Sequence, residues 1–206
     1  TVSMSEPEAG SAVTDLITSA TPDGVGFRIN GTKVFGSHSP EADLFLVYVR
    51  FGSGISGIGS VIVERDREGF TQGRPVRYLG GEQWAQLYFD DVYIGTENVI
   101  LGEGGFKKQI AGFNVERIGN SARSLALGQL AFDIARDHAL DRQQFGRPLC
   151  DFQGLQWKFA ELKVQLDSAR LLLYRAAINA DKGLPSAEET TMAKYACNKV
   201  GFSAAN

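Results

Sequence analysis

Several clusters in this 206-residue sequence have the residue types and spacing to do chemistry. Glu116 lies in a helical pattern with Gly112 four residues before it and Gly119 three after, on its own face. A mid-helix glycine costs about 1 kcal/mol relative to alanine, so two of them require a reason. Close helix packing is one reason and room for a ligand beside a carboxylate is the other; the residues alone leave both open. Arg142-Gln143-Gln144-Phe145-Gly146-Arg147-Pro148 puts two guanidiniums and an aromatic ring at a helix end. Guanidinium matches paired phosphate oxygens bidentately, but an arginine there also complements the helix dipole. The stretch from Ser3 to Ser11 carries hydroxyls and small residues around Pro7, so its backbone N–H groups can face a ligand or simply form a loop. Phe35-Gly36-Ser37-His38 pairs an aromatic face with a hydroxyl donor at a strand end.

Other chemistries lack their residues. Gly52-Ser53-Gly54-Ile55-Ser56-Gly57-Ile58-Gly59 has neither the Gly-Lys-Ser/Thr of a phosphate loop nor a strand-to-helix context, and reads as a surface loop. No Gly-x-Ser-x-Gly elbow occurs. His38 and His138 are far apart without ligands at metal spacing, so no metal is expected. Cys150 and Cys197 do not make a disulfide framework. Twenty-one Lys and Arg against 24 Asp and Glu argue against a nucleic-acid binder, and no apolar run is long enough to span a bilayer.

These residues must be positioned by two kinds of element. Before Gly102 short apolar runs alternate with Gly, Pro, Asn and Asp. Asn30-Gly31 between Val25–Ile29 and Thr32–Phe35 predicts a type I′ hairpin. Further strands are expected over Leu44–Arg50, Ser60–Glu64, Arg74–Leu79 and Gln86–Ile94. After Gly102 the period is helical, through Phe106, Ile110, Phe113, Arg117, Ser121, Leu125 and Ile134. Asp151 is the expected N-cap of a second helix, whose seam runs Leu155, Phe159, Leu162, Leu166, Ala169, Leu173 and Ala176. Lys182-Gly183-Leu184-Pro185 closes it, and Ser186 with Glu189 predicts a capping box opening a third. The expected fold class is α+β: an antiparallel β-barrel or sandwich domain over 1–102, then an up-down helical bundle over 103–206. The sequence has no initiator Met and stops at Asn206 inside a predicted helix, so it is expected to be a segment of a longer chain.

Six motifs in order resemble the acyl-CoA dehydrogenase family along essentially the whole sequence. They are Ser5-Glu6-Pro7-x-Ala9-Gly10-Ser11, Ile29-Asn30-Gly31-x-Lys33, Phe89-Asp90-Asp91-Val92, Glu116-Arg117, Asp141-Arg142-x-x-Phe145-Gly146-x-Pro148 and Gln153-x-x-Gln156. The resemblance implies FAD, and removal of the α proton and β hydride of an acyl-CoA thioester to give the trans-2-enoyl-CoA. It implies that Met4 and Ser5 meet the flavin's pyrimidine edge, Phe35 packs on the isoalloxazine, Ser37 lies near N5 and Ser11 lies by the pyrophosphate and pantetheine. Arg142, Phe145 and Gln153 match residues that hold the adenosine-diphosphate part of FAD from a neighbouring subunit, implying a homo-oligomer, tetramer or dimer. Phe113, Asn114 and Arg117 join Ser11 as the expected substrate-binding set.

Many family members carry the catalytic base on a late loop, which would fall past Asn206. In the subgroup that includes isovaleryl- and long-chain-type enzymes it sits in the helical Glu-Arg, which Glu116 matches, so Glu116 is the expected base. Ala12, where an Asp is common, and Phe35 and Ser37, where Trp and Thr are usual, suggest a divergent subgroup. Electron-transfer flavoprotein is the expected partner, and the expected location is cytoplasmic, or the mitochondrial matrix in a eukaryote. The alternative function is a flavin-dependent monooxygenase on the same fold, in which Glu116 would be structural. Because net charge is mildly negative, anionic FAD and CoA must be held by local devices such as Arg142 and backbone amides.

Overall fold

The computed structural model describes residues 1–180 and 183–206, in two compact units, Thr1–Gln109 and Ile110–Asn206. Lys182, expected in the turn after the second helix, lies outside the described residues.

The first unit begins with β1 (Val2–Ser3), β2 (Ser19–Asp23), β3 (Gly26–Lys33), β4 (Leu44–Arg50) and β5 (Ile58–Glu64). It continues with β6 (Phe70–Gln72), β7 (Val76–Arg77), β8 (Gln83–Trp84), β9 (Leu87–Gly95) and β10 (Val99–Leu101). The main sheet runs β10-β5-β4-β2-β3-β9-β6, with β1 added beside β4, and β7 pairs β8 separately. Its ladders are antiparallel except at β4, which pairs with both β1 and β2 in parallel. Inward side chains of six strands, among them Ala20, Ile29, Phe45, Val61, Phe70 and Leu87, form one core. The glycine-rich stretch after β4 turns directly into β5 and no helix follows it, so it is not a phosphate loop. Arg50 ties it down by donating to the carbonyls of Gly52 and Gly54.

Asn30-Gly31 is not a hairpin turn. β3 runs through it, and the hairpin lies upstream, where Asp23 pairs Gly26 around a Gly24 with φ 59°. At Asn30 the register against β9 shifts instead: Ile29 faces Val92 and Gly31 faces Phe89, so Asp90 and Asp91 together oppose Asn30. This is a β-bulge, with Asp91 at φ 54°. Asn30 secures it by accepting from the Asp91 N–H at 2.8 Å. Gly31 has φ 151°, and a Cβ there would sit 2.7 Å from the Cα of Thr18, so only glycine fits. The expected strand over Arg74–Leu79 is reduced to Val76–Arg77.

α1 (Phe106–Asp141) leads into the second unit, which continues with β11 (Gln143–Gln144), β12 (Arg147–Pro148), α2 (Gln153–Asn179) and α3 (Ala187–Ala205). Leu166, Ala169, Leu173 and Ala176 of α2 are buried with Leu125 and Phe132 of α1 and Ala193, Cys197 and Val200 of α3. Ile134, expected on the same apolar face of α1, is instead 62% exposed. Asp151 lies in a 3-10 turn; the N-cap position of α2 is Phe152, which makes no side-chain cap. Ser186 does cap α3, accepting from the Glu189 N–H. The box is half made, because the Glu189 carboxylate turns to Asn179 and Arg175 of α2. Those hydrogen bonds, Asn179's foremost, hold the Glu189 carboxyl below its ordinary value.

α1 and α3 cross where Gly128 meets Gly201, and a Cβ on Gly201 would lie 2.6 Å from the Ser124 carbonyl oxygen. Gly201→Val is therefore expected to lose about 2–3 kcal/mol to overpacking, read as a lower urea midpoint at unchanged slope.

Candidate functional site

In the first unit, the backbone from Thr1 to Ser5 runs between β4 and the end of β3. The Leu46 N–H donates to the Thr1 carbonyl, and the Val34 N–H donates to the Ser5 carbonyl at 2.9 Å. What anchors this segment is a buried ion pair that spacing did not reveal. Lys33 Nζ lies 2.7 Å from Glu6 Oε1, with side chains 0% and 3% exposed. Glu6 also accepts from the Ile17 N–H at 2.7 Å and the Thr18 N–H at 2.9 Å. Lys33 donates in addition to the Met4 carbonyl at 3.1 Å. Burial pushes the Glu6 carboxyl up, but hydrogen bonds from Ile17, Lys33 and Thr18, with the charge of Lys33, together hold it below its ordinary value. Burial pulls the Lys33 ammonium down to about 8, against the pull of Glu6. Two of the motifs quoted above thus meet in one electrostatic knot.

Around that knot the residues expected to meet a flavin come together. Among the described residues, no hydrogen bond engages the Ser5 N–H or hydroxyl. Phe35, just past the end of β3, has φ 61° and is 58% exposed. A left-handed conformation in a bulky residue is strained, and such outliers cluster where a ligand is clamped. The Phe35 ring is propped by Trp84 of β8, at a centroid distance of 4.6 Å. Trp84 was missed by sequence reasoning, because β8 is two residues long and shows no alternation. Ser37 bridges to Trp84 through the backbone, and its carbonyl accepts from the Thr1 hydroxyl at 2.7 Å. Ser11 is exposed in the stretch between β1 and β2. An exposed ring beside free backbone and hydroxyl donors fits a planar heteroaromatic group with acceptors along one edge.

In the second unit, Glu116 is exposed on α1, and a Cβ added to Gly112 or Gly119 meets nothing within 4 Å. Within this unit, then, no described helix packs closely against the two glycines. Open space beside a carboxylate remains. Asn114 is 5% exposed, donates to the Pro185 carbonyl at 2.9 Å and accepts from the Arg117 guanidinium at 2.8 Å. Its polar ends are turned inward, which makes it a brace for Arg117. Phe113 is half-buried on the same turn.

Arg142, Phe145 and Gln153 belong to one short reach of chain, the β11–β12 hairpin and the start of α2. The Leu149 N–H donates to the Arg142 carbonyl and closes the hairpin, leaving the Arg142 side chain exposed. Phe145, at φ 53°, is 92% exposed, 6.2 Å from Phe152. Arg147 stacks 4.1 Å over Phe152, so the hairpin is braced from its side while its tip is bare. No cluster of metal ligands occurs, and no helix is long and apolar enough to cross a membrane, among the described residues.

Comparison with known proteins matches both units. Residues 1–92 match the family model for the acyl-CoA dehydrogenase middle domain, and residues 103–206 the model for the acyl-CoA dehydrogenase C-terminal domain. A short/branched chain specific acyl-CoA dehydrogenase, mitochondrial, of Rattus norvegicus is 39% identical over 203 residues, covering 96% of this chain and 47% of that protein. The butyryl-CoA dehydrogenase of Megasphaera elsdenii superposes with a TM-score of 0.90 at 33% identity, over 97% of this chain and 54% of that one. A chain in the structural study of the electron transferring flavoprotein of Acidaminococcus fermentans gives the same score, 0.90, also at 33% identity, over 97% and 54%. The sequence thus spans about half the length of the relatives it matches.

Proposed function

The chain belongs to the acyl-CoA dehydrogenase family, and from that premise we propose that the full-length protein removes the α proton and β hydride of an acyl-CoA thioester, passing the electrons to electron-transfer flavoprotein. The observation that carries this reading is Glu116, an exposed helical carboxylate between two glycines whose side-chain space is empty. An α proton beside a thioester is weakly acidic, so its removal needs a carboxylate within hydrogen-bond reach and a polarised carbonyl. Glu116 is the base in this reading, and Arg117, braced by Asn114, sets the local field.

FAD, when bound, supplies the hydride acceptor. The Ser5 N–H and hydroxyl would hold its pyrimidine edge, Phe35 with Trp84 behind it would support the ring face, and Ser37 would donate near N5. The exposed Arg142 guanidinium, Phe145 ring and Gln153 amide would hold the adenosine-diphosphate part of a neighbouring subunit's FAD, so the working form is a homo-oligomer. Ser11 and Phe113 complete the expected substrate contacts. The relatives reported above include named dehydrogenases, and no observation favours the monooxygenase alternative.

The test is anaerobic mixing of the FAD-loaded full-length protein with short, branched and long acyl-CoA thioesters. Bleaching of the flavin band by at least one of them is expected. No bleaching with any, in protein that holds FAD, overturns the reading.

A further inference from the structure

The Lys33 ammonium bonds to the Met4 carbonyl, and that carbonyl belongs to the same peptide unit as the Ser5 N–H. An amide whose oxygen accepts a charge-assisted hydrogen bond is polarised, and its N–H becomes a stronger donor. The Ser5 N–H has no internal partner among the described residues, so the strengthened donor is available to a ligand. The charge that drives the polarisation is 0% exposed and is held in place by Glu6, whose second oxygen is fixed by the Ile17 N–H. Water does not screen a charge so deeply buried.

We propose that Lys33 is a positioning residue for the flavin: it polarises the Met4–Ser5 peptide so that the Ser5 N–H binds the flavin's pyrimidine edge more strongly once that edge gains electron density on reduction. The inference rests on the flavin assignment above and goes beyond it by naming a residue that acts without touching the cofactor. Lys33 and Glu6 together are neutral, so their effect is local to one peptide. Glu6 is the charged group that faces Lys33 among the described residues.

That neutrality supplies the test. The double variant Lys33→Met with Glu6→Gln removes the pair at no change in net charge and strands no buried ion. In FAD-loaded full-length protein, its equilibrium constant for two-electron reduction is expected to fall about tenfold, a midpoint potential about 30 mV more negative by redox titration. A constant within twofold of the unsubstituted protein overturns the inference while leaving the flavin assignment standing. A folded double variant that takes up no FAD also overturns it, because Lys33 would then serve binding rather than potential. If the double variant does not fold, Lys33→Gln with Glu6→Gln, which keeps a neutral donor to Met4 and strands no buried ion, is expected to shift the potential in the same direction by a smaller amount; no shift overturns the inference. Failure of the unsubstituted protein to take up FAD overturns the flavin assignment itself, and this inference with it.

Discussion

Glu116→Gln is expected to lower the rate of flavin bleaching by acyl-CoA about 10²–10⁴-fold, the contribution of a positioned general base. Glutamine keeps the shape of the side chain and its hydrogen-bonding reach but accepts no proton at working pH. The substitution sits on an exposed helical position whose neighbouring glycines face open space, so stability and FAD content should match the unsubstituted protein. Binding of acyl-CoA, measured by its perturbation of the flavin spectrum, should change by no more than a few-fold. Loss of the chemical step with binding retained separates a base from a binding group. Near-normal bleaching would move the base to another carboxylate and leave Glu116 a surface residue.

The second large effect falls on folding. Glu6→Gln is expected to destabilise the first unit by about 3–5 kcal/mol, because it leaves the buried Lys33 charge without its counter-ion. It also sets an amide NH2 where an oxygen now accepts from the Ile17 or Thr18 N–H. Adding Lys33→Met should restore much of the loss, since removing both charges is less costly than removing one. The pair gives the stability a direction in pH. The carboxyl of Glu6 is lower in the folded than in the unfolded chain, so its contribution is complete above about 4.5 and drains away as pH falls through its folded value. Lys33 loses its proton more readily folded than unfolded, so between about 8 and its ordinary value near 10.5 stability rises with pH. Thermal midpoints of the full-length protein should fall on the acid side, and the double variant should flatten both slopes.

The strands that bury one face regularly were legible in the sequence. Leu44–Arg50 is observed with the expected ends, because its apolar run is bounded by Asp43 and by the glycine-rich stretch. The α2 seam was legible for the same reason, a period carried by large aliphatic side chains. Asn30-Gly31 misled because the pair serves a two-residue turn and a bulge partner equally well. The deciding signal lay 60 residues away: buried positions in β9 run Leu87, Phe89, then Val92, Ile94, a slip of phase across Asp90-Asp91 that marks an inserted residue. Asp151 has the right chemistry for an N-cap, but the 3-10 turn at Leu149–Asp151 carries the helix start past it. Of the candidate site, the motifs named the residues while their supports were invisible. Lys33 and Glu6 are 27 positions apart, and only the folded sheet shows that each is the other's reason for being buried. Trp84 behind Phe35 is likewise a tertiary fact.

The bulge at Asn30 also bears on how the protein ages. An Asn-Gly sequence is the one most prone to spontaneous deamidation, because the glycine's backbone nitrogen can swing onto the asparagine side-chain carbonyl and close a succinimide. Here the side-chain oxygen of Asn30 is held by the Asp91 N–H, and the backbone is locked into a ladder with β9. The ring cannot close without breaking both. An exposed asparagine in the most labile of sequence contexts is thereby given the chemical lifetime of the sheet around it, and isoaspartate should accumulate there only in chains that have opened.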